Sequence, residues 1–202
     1  MYSFFYRLIQ KILIKRSFYD DFLKYFRLED LNQIVEIGCA DSIILESLAK
    51  DIKYDGYDIE ENYINKSKKK YINFKNFNFE QKSIHEIDFS NFNQNKTIIL
   101  LIGVFHHVND DLINIFLQKT KNFKIYAVDA VRKNDQNFFT KILMDFDRGK
   151  FIRNEDGYKR LLNDYKFILA RNKYLNFKYD HLISFKNIDE IKIKEILKAS
   201  NI

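Results

Sequence analysis

The stretch Gln33-Ile-Val-Glu-Ile-Gly-Cys-Ala-Asp-Ser42 decides how the chain folds. Its first five residues form a short, mostly apolar run that stops at Gly38, a pattern typical of a buried β-strand followed by a turn. Asp41 and Ser42 are of residue types that cap helices, so we expect one of them to begin a helix that continues to about Lys50. The stretch therefore predicts a strand, a glycine turn and a helix in immediate succession.

The alternation of strand and helix continues towards the C-terminus. The clearest further strand is Thr97-Ile-Ile-Leu-Leu-Ile102, which is uncharged, rich in β-branched residues and followed by Gly103. Strands that alternate with helices of 10–15 residues predict an α/β fold with a mainly parallel sheet covered on both faces. The predicted elements are strands at 54–58, 77–82, 97–102 and 124–129 and helices at 61–71 and 110–122.

Both ends of the chain depart from this alternation. Apolar residues at positions 5, 8, 9, 12 and 13 share one helical face, and a second helix is predicted at 17–26. After residue 129 we expect helices at 137–146 and 155–165, an antiparallel pair of strands at 167–175 and 181–185, and a helix at 188–199. We therefore predict a single domain spanning 1–202, with an N-terminal helical lid at 1–30, a core at 31–186 and a terminal helix at 187–202.

Composition excludes several classes of protein. Cys39 is the single cysteine, so no internal disulfide or cysteine-rich zinc site is expected, and we predict no metal and a reducing, cytoplasmic setting. No uncharged stretch is long enough for a transmembrane helix, and a signal peptide is not expected. The net charge of +6 would suit RNA or an acidic lipid surface, but 34 basic and 28 acidic residues spread along the chain favour a solvated surface.

The loops that follow the predicted strands indicate a nucleoside-containing cofactor. Gly38 lets a ligand approach the backbone, and Asp58, 20 residues later, is placed to accept both hydroxyls of a ribose. The sequence does not match the G-x-G-x-x-G motif of a pyrophosphate-binding turn, because Ala40 and Ile43 stand in place of its second and third glycines. Glu36 disfavours phosphates and suits a cationic ligand such as S-adenosylmethionine, which carries a sulfonium and an ammonium group.

On these residues the chain resembles the class I S-adenosylmethionine-dependent methyltransferases over roughly residues 33–185. Glu36-Ile-Gly-Cys-Ala-Asp41 is similar to the first motif of that family, and Asp58 with Ile59 to the second. Leu101-Ile-Gly-Val-Phe-His-His-Val-Asn-Asp-Asp111 resembles the G-V-x-H-H-x-x-D segment of many small-molecule methyltransferases. Asp147-Arg148-Gly149, with Arg153 and Tyr158, resembles a segment of a bacterial subgroup. The family has a Rossmann-like, seven-stranded fold whose last strand is antiparallel.

The resemblance implies which residues contact S-adenosylmethionine. Ala40 stands where the family usually has a second glycine, and we expect its methyl group to be tolerated at a negative φ. Ser83 stands where the family often has an acid. The implied cofactor-binding residues are Glu36, Gly38 and Ala40 beside the methionine part, Asp58 on the ribose, Ile59, Ser83 and Ile84 around the adenine, and Ile102 and Gly103 near the methyl group.

Two histidines and two arginines are candidates on the acceptor side. A neutral imidazole can take a proton from the substrate, and we favour His107 over His106 as this catalytic residue, the alternative being that one of them only fixes the loop. Arg148 and Arg153 are candidates for binding a carboxylate or phosphate of the substrate. The alternative is an ion pair with one of three nearby acids, Asp145, Asp147 or Asp156.

We therefore predict methyl transfer to an oxygen or nitrogen of a small molecule or a sugar-linked precursor. The chain has no proline and hence no D-P-P-Y or N-P-P-Y segment, which argues against amino-methylation of nucleic-acid bases. Three alternatives stay open: an RNA-modifying methyltransferase, a non-catalytic S-adenosylmethionine-binding module and a nicotinamide-dependent oxidoreductase. For the N-terminal helix, packing over the cofactor cleft is favoured over peripheral contact with a membrane.

Overall fold

A computed structural model describes residues 17–28, 30–136, 149–170 and 180–199, together with Phe138, Lys141 and Met144. The first predicted helix, most of the helix predicted at 137–146, and Arg148 lie outside the described residues. So does the second half of the strand predicted at 167–175. The remaining elements can be compared with the sequence-based predictions.

A single seven-stranded sheet forms the centre of the structure. Its strand order is β3-β2-β1-β4-β5-β7-β6, with parallel pairing from β3 to β5 and antiparallel pairing of β7 with both β5 and β6. The predicted Rossmann-like sheet with its C-terminal antiparallel pair is confirmed. The strands are β1 (Gln33–Ile37), β2 (Lys53–Asp58), β3 (Phe77–Gln81), β4 (Thr97–Ile102), β5 (Lys124–Ala130), β6 (Lys166–Ala170) and β7 (His181–Lys186).

Helices cover both faces of the sheet, as predicted. Asn109 and Asn154 cap α3 and α4, because their side chains accept the amides of Leu112 and Gly157. Among the described residues no helix is long and apolar enough to cross a membrane. The α-helices are α1 (Ser17–Leu28), α2 (Glu61–Lys70), α3 (Asp110–Lys119), α4 (Glu155–Leu161) and α5 (Glu190–Ala199).

The prediction of a helix after β1 is wrong. In its place the chain forms one short 3₁₀ turn, Ile43–Glu46. Ser42 adopts a left-handed conformation with φ of 50°, and its buried hydroxyl lies 3.1 Å from that of Ser67 on α2. The hydroxyl makes no capping bond to the turn, so the cap that a helix start requires is absent.

Two apolar clusters lie on opposite faces of the sheet. One contains side chains of α1, α2 and α5, and the other contains side chains of α3 and α4. Alternate residues of β1 divide between them, since Ile34 belongs to the first cluster and Val35 to the second. This two-sided burial explains why β1 and β4 have nearly continuous apolar sequences.

Candidate functional site

The order of the strands reverses between β1 and β4, and the candidate site lies at their carboxyl ends. Ile37, the last residue of β1, is level with Tyr57 of β2 and with Leu101 of β4. The next residues along these strands are Gly38, Asp58 and Ile102. The register therefore brings three predicted cofactor residues to one edge of the sheet, where open α/β sheets bind their ligands.

The turn after β1 has an unusual backbone. Gly38 has φ of 69°, and a Cβ atom built there would lie 2.7 Å from Cγ2 of Val104, so only glycine fits. Ala40 has φ of 43°, which corrects the expected negative value. Its side chain is accommodated in the left-handed region, where a non-glycine residue carries strain. Gly103, after β4, is also left-handed, with φ of 71°.

Asp58 is tied to the turn after β1. One carboxylate oxygen accepts the amide of Ala40 and the other accepts the amide of Glu60, each over 2.9 Å. Burial raises the pKa of Asp58, and these two hydrogen bonds oppose the rise. An ionised carboxylate offers about four acceptor positions, so the two amides leave capacity for two hydroxyl donors.

Glu36 is fully buried beneath the turn, and two tyrosines hold its carboxyl group. The hydroxyl of Tyr19, on α1, donates to Oε1 over 3.0 Å, and the hydroxyl of Tyr54, on β2, donates to Oε2. Burial raises the pKa of Glu36 to about 7, and the two tyrosine hydrogen bonds work against the rise. Burial therefore disfavours the ionised form of Glu36, and a nearby cation would favour it.

The residues predicted around the adenine differ in their exposure. Ile59 follows Asp58 and is 64% exposed, which leaves an apolar surface beside the ribose candidate. Ile84 is buried in the core. The hydroxyl of Ser83 lies 3.0 Å from Nδ1 of His85, and the amide of Ser83 donates to Glu86.

The two histidines after β4 occupy different environments. His106 is buried, and its Nδ1 lies 2.8 Å from Oδ1 of Asp129, at the end of β5; the same oxygen accepts the amide of His106. His107 is exposed, with its ring centroid 4.1 Å from that of His106. The structure thus brings an anchored and an exposed imidazole together, and the anchored one lies next to Gly103.

Arg153 contacts the same turn. Its guanidinium donates to the backbone carbonyls of Phe105 and Val108 and to the carboxylate of Asp110. Asp110 was not among the three acids considered as ion-pair partners from the sequence. Arg148, the other candidate for a substrate anion, lies outside the described residues.

Three residues of this region were missed in the sequence analysis. Tyr19 and Tyr54 are hydrogen-bonded to Glu36, and Asp129 is hydrogen-bonded to His106. Asp129 carried a usable signal, because an acid within the apolar run of a buried strand needs a specific partner. The two tyrosines carried no such signal, because the chain has 13 tyrosines and nothing in the sequence distinguishes these two.

The donor set at this edge fits S-adenosylmethionine. Asp58 offers acceptors for a ribose, and exposed Ile59 offers an apolar surface beside it. In addition, the sequence of residues 34–124 matches the family model of the methyltransferase domain. Over these residues the chain is similar to the methyltransferase domain family.

Solved structures of methyltransferases share the fold of this chain. The plantazolicin methyltransferase BpumL has a TM-score of 0.67 and 16% identity, covering 91% of this chain and 88% of that one. A SAM-dependent methyltransferase from Archaeoglobus fulgidus has a TM-score of 0.64 and 15% identity, covering 90% and 99%. The N-methyltransferase NodS from Bradyrhizobium japonicum, solved with S-adenosyl-L-homocysteine, has a TM-score of 0.62 and 11% identity, covering 88% of each chain.

No curated protein matches the sequence. The family model and the shared fold confirm the predicted resemblance to class I methyltransferases and the predicted cofactor, S-adenosylmethionine.

Proposed function

We propose that this methyltransferase modifies an oxygen or nitrogen of a small molecule or a sugar-linked precursor. The observation that carries the proposal is the turn after β4, where exposed His107 lies against His106, which is anchored to Asp129. An exposed imidazole at the edge of the sheet can be reached by an attacking hydroxyl or amine and can accept the proton that this group must lose.

The cofactor contacts form part of the proposal. Asp58 would hold the ribose, and Ile59, Ser83 and Ile84 would lie around the adenine. Bound S-adenosylmethionine supplies an electrophilic methyl group. The contribution of the chain is then to hold the acceptor in line and to remove its proton, for which His107 is our candidate.

Two structural neighbours are in keeping with an acceptor other than a nucleic-acid base. NodS is described as an N-methyltransferase, and BpumL was solved with a triazolic analogue of desmethyl plantazolicin. The chain also lacks proline and with it the D-P-P-Y and N-P-P-Y segments of base amino-methyltransferases. These features favour a small or sugar-linked acceptor over amino-methylation of a nucleic-acid base.

The acceptor class can be tested by transferring a labelled methyl group from S-adenosylmethionine into a fractionated cell lysate. We expect label in the small-molecule or glycan fraction, and we expect excess S-adenosylhomocysteine to suppress it. Label that precipitates with RNA and is released by ribonuclease would contradict the proposed acceptor. Binding of S-adenosylhomocysteine without label in any fraction would indicate a non-catalytic module. Stabilisation by NAD alone would indicate an oxidoreductase.

A further inference from the structure

Residues 149–153, here called the strap, cross over the turn that carries His106 and His107. Gly149 lies directly against His106, because a Cβ atom built at Gly149 would be 2.3 Å from Cδ2 of the imidazole. The amide of Phe151 donates to the carbonyl of His106 over 2.9 Å. The strap therefore touches both the side chain and the backbone of the buried histidine.

Arg153, at the end of the strap, uses its whole guanidinium on neighbouring groups. Nη1 donates to the carbonyls of Phe105 and Phe151, Nη2 to the carbonyl of Val108 and to Asp110, and Nε to Asp110, over 2.5–3.1 Å. A guanidinium has five N–H groups, so these five bonds occupy every donor. A substrate anion would have to displace at least one of them.

The positions of these bonds are informative. Phe105 directly precedes the two histidines and Val108 directly follows them, so the guanidinium holds the turn on both sides of the pair. Asp110 lies in the first turn of α3, which fixes the turn to the helix that follows. A planar fork makes such divergent bonds with a geometry that a lysine ammonium cannot reproduce.

The carboxyl end of β5 completes the arrangement. Oδ1 of Asp129 accepts both the amide and Nδ1 of His106 and so orients the imidazole. Tyr158, on α4, donates its hydroxyl to the carbonyl of Ala130, and its ring lies 5.7 Å from the guanidinium carbon of Arg153. Gly149, Arg153 and Tyr158, singled out in the sequence as parts of one motif, thus meet around the histidine turn.

We propose that Arg153 is a positioning residue for methyl transfer, which acts by holding the His106–His107 turn and not by binding a substrate anion. The inference rests on the proposed function, in which His107 faces the acceptor. In this proposal Gly149, Arg153 and Tyr158 together hold the turn that carries His107. The residues proposed to hold the ribose and the adenine lie at the end of β2 and on the connections after β2 and β3, and none of the proposed cofactor residues belongs to the strap.

The test compares Arg153→Ala and Arg153→Lys with Arg160→Ala, which removes an exposed arginine of α4. Three quantities are measured: methyl transfer into the labelled lysate fraction, affinity for S-adenosylhomocysteine by calorimetry, and the imidazole ¹⁵N shifts of His106 and His107. We expect Arg153→Ala to lower transfer about 100-fold, the typical effect of misplacing a group by about 1 Å. We also expect shifted imidazole signals, unchanged affinity for S-adenosylhomocysteine, and a wild-type-like Arg160→Ala.

Arg153→Lys separates the two roles of the arginine. A lysine keeps the positive charge but cannot make the fork of bonds, so we expect its imidazole signals and its transfer rate to stay close to those of Arg153→Ala. Wild-type imidazole signals in Arg153→Ala would overturn the inference, and so would wild-type transfer by Arg153→Lys. Equal losses of transfer and of S-adenosylhomocysteine affinity would overturn it as well.

Asp110→Ala keeps the test decisive if Arg153→Ala does not fold. It removes two of the five bonds at a side chain that is 66% exposed, and we expect a smaller change of the same imidazole signals. Unchanged signals would contradict the proposed positioning. Because the signals are recorded on protein without acceptor, they test the inference even where the wild-type protein labels no fraction, a result that would overturn the proposed function alone.

Discussion

The amide of Ala40 donates to Oδ2 of Asp58 over 2.9 Å, so the turn after β1 and the end of β2 are joined by a direct hydrogen bond. The residue proposed to hold the ribose therefore also fixes the backbone proposed to lie against the methionine part. A substitution at Ala40 or Asp58 is therefore expected to shift the structure at the other residue, because one hydrogen bond joins them.

Asp58→Ala is predicted to weaken binding of S-adenosylhomocysteine by about 1.5–3 kcal/mol, the range for hydrogen bonds that involve a charged group. The comparison is with Asp41→Ala, which removes an exposed carboxylate from the same turn. Isothermal titration calorimetry measures both. A wild-type dissociation constant for Asp58→Ala would mean that the ribose does not bind there.

Ala40→Gly is predicted to stabilise the protein by about 0.5–1 kcal/mol. Left-handed backbone costs a non-glycine residue roughly 1–2 kcal/mol, which glycine would relieve. Glycine also gives the unfolded chain more conformational freedom, and this offsets about 0.4–1 kcal/mol of the gain in the free energy of unfolding. Ser42→Gly is the matched control, since Ser42 has a similar φ of 50° but would lose its contact with Ser67. Urea unfolding measures both variants, and destabilisation by Ala40→Gly would contradict the strain argument.

Glu36 predicts a dependence of stability on pH. Its pKa is raised from 4.5 to about 7 by burial, so the folded state keeps a proton that the unfolded state releases. Stability from this group is present below about pH 4.5 and is lost as the pH rises to about 7. The loss is about 3 kcal/mol at about 1.4 kcal/mol for each pH unit.

The measurement is urea unfolding of the wild type and of Glu36→Gln between pH 4 and pH 8. Glutamine does not titrate, so the difference in unfolding free energy between the two proteins isolates Glu36. We expect the wild type to lose stability relative to the variant as the pH rises. A constant difference across this range would mean that the pKa of Glu36 is the same in the folded and the unfolded protein, and would contradict the predicted rise.

His107→Ala is predicted to lower methyl transfer by about 100-fold or more, the usual contribution of a positioned proton acceptor, with unchanged affinity for S-adenosylhomocysteine. Asp111→Ala, at another exposed position of the same segment, serves as the control. His106→Ala is less informative because it removes a buried partner of Asp129 and is expected to lower stability. An unchanged transfer rate in His107→Ala would assign this histidine to the scaffold.

The sequence predicted the strands better than the turns between them. The bounds of β1 and β4 were predicted to the residue, because each is an apolar run that ends at a glycine. The helix after β1 was wrong because a left-handed Ser42, whose hydroxyl faces α2, leaves no cap. Local pattern gives no access to such a contact, which joins residues 25 positions apart.

The candidate site shows the same division. Gly38, Asp58 and Gly103 were placed together because parallel strands bring their carboxyl ends to one edge of the sheet. The partners of Glu36 and His106 were not foreseen, since Tyr19, Tyr54 and Asp129 lie 17 to 23 residues away from them in the chain. Arg153 was recognised as unusual, but its partner Asp110 is 43 residues distant.

The bond between Tyr19 and Glu36 has a practical consequence for anyone who trims this protein. The part that matches the methyltransferase family begins inside β1 and ends at the first residue of β5. A fragment cut to those limits would deprive the buried acid of its α1 hydroxyl and the paired imidazoles of their aspartate and their arginine. Fragments intended for ligand screening should therefore retain both flanks, α1 and the chain through α4.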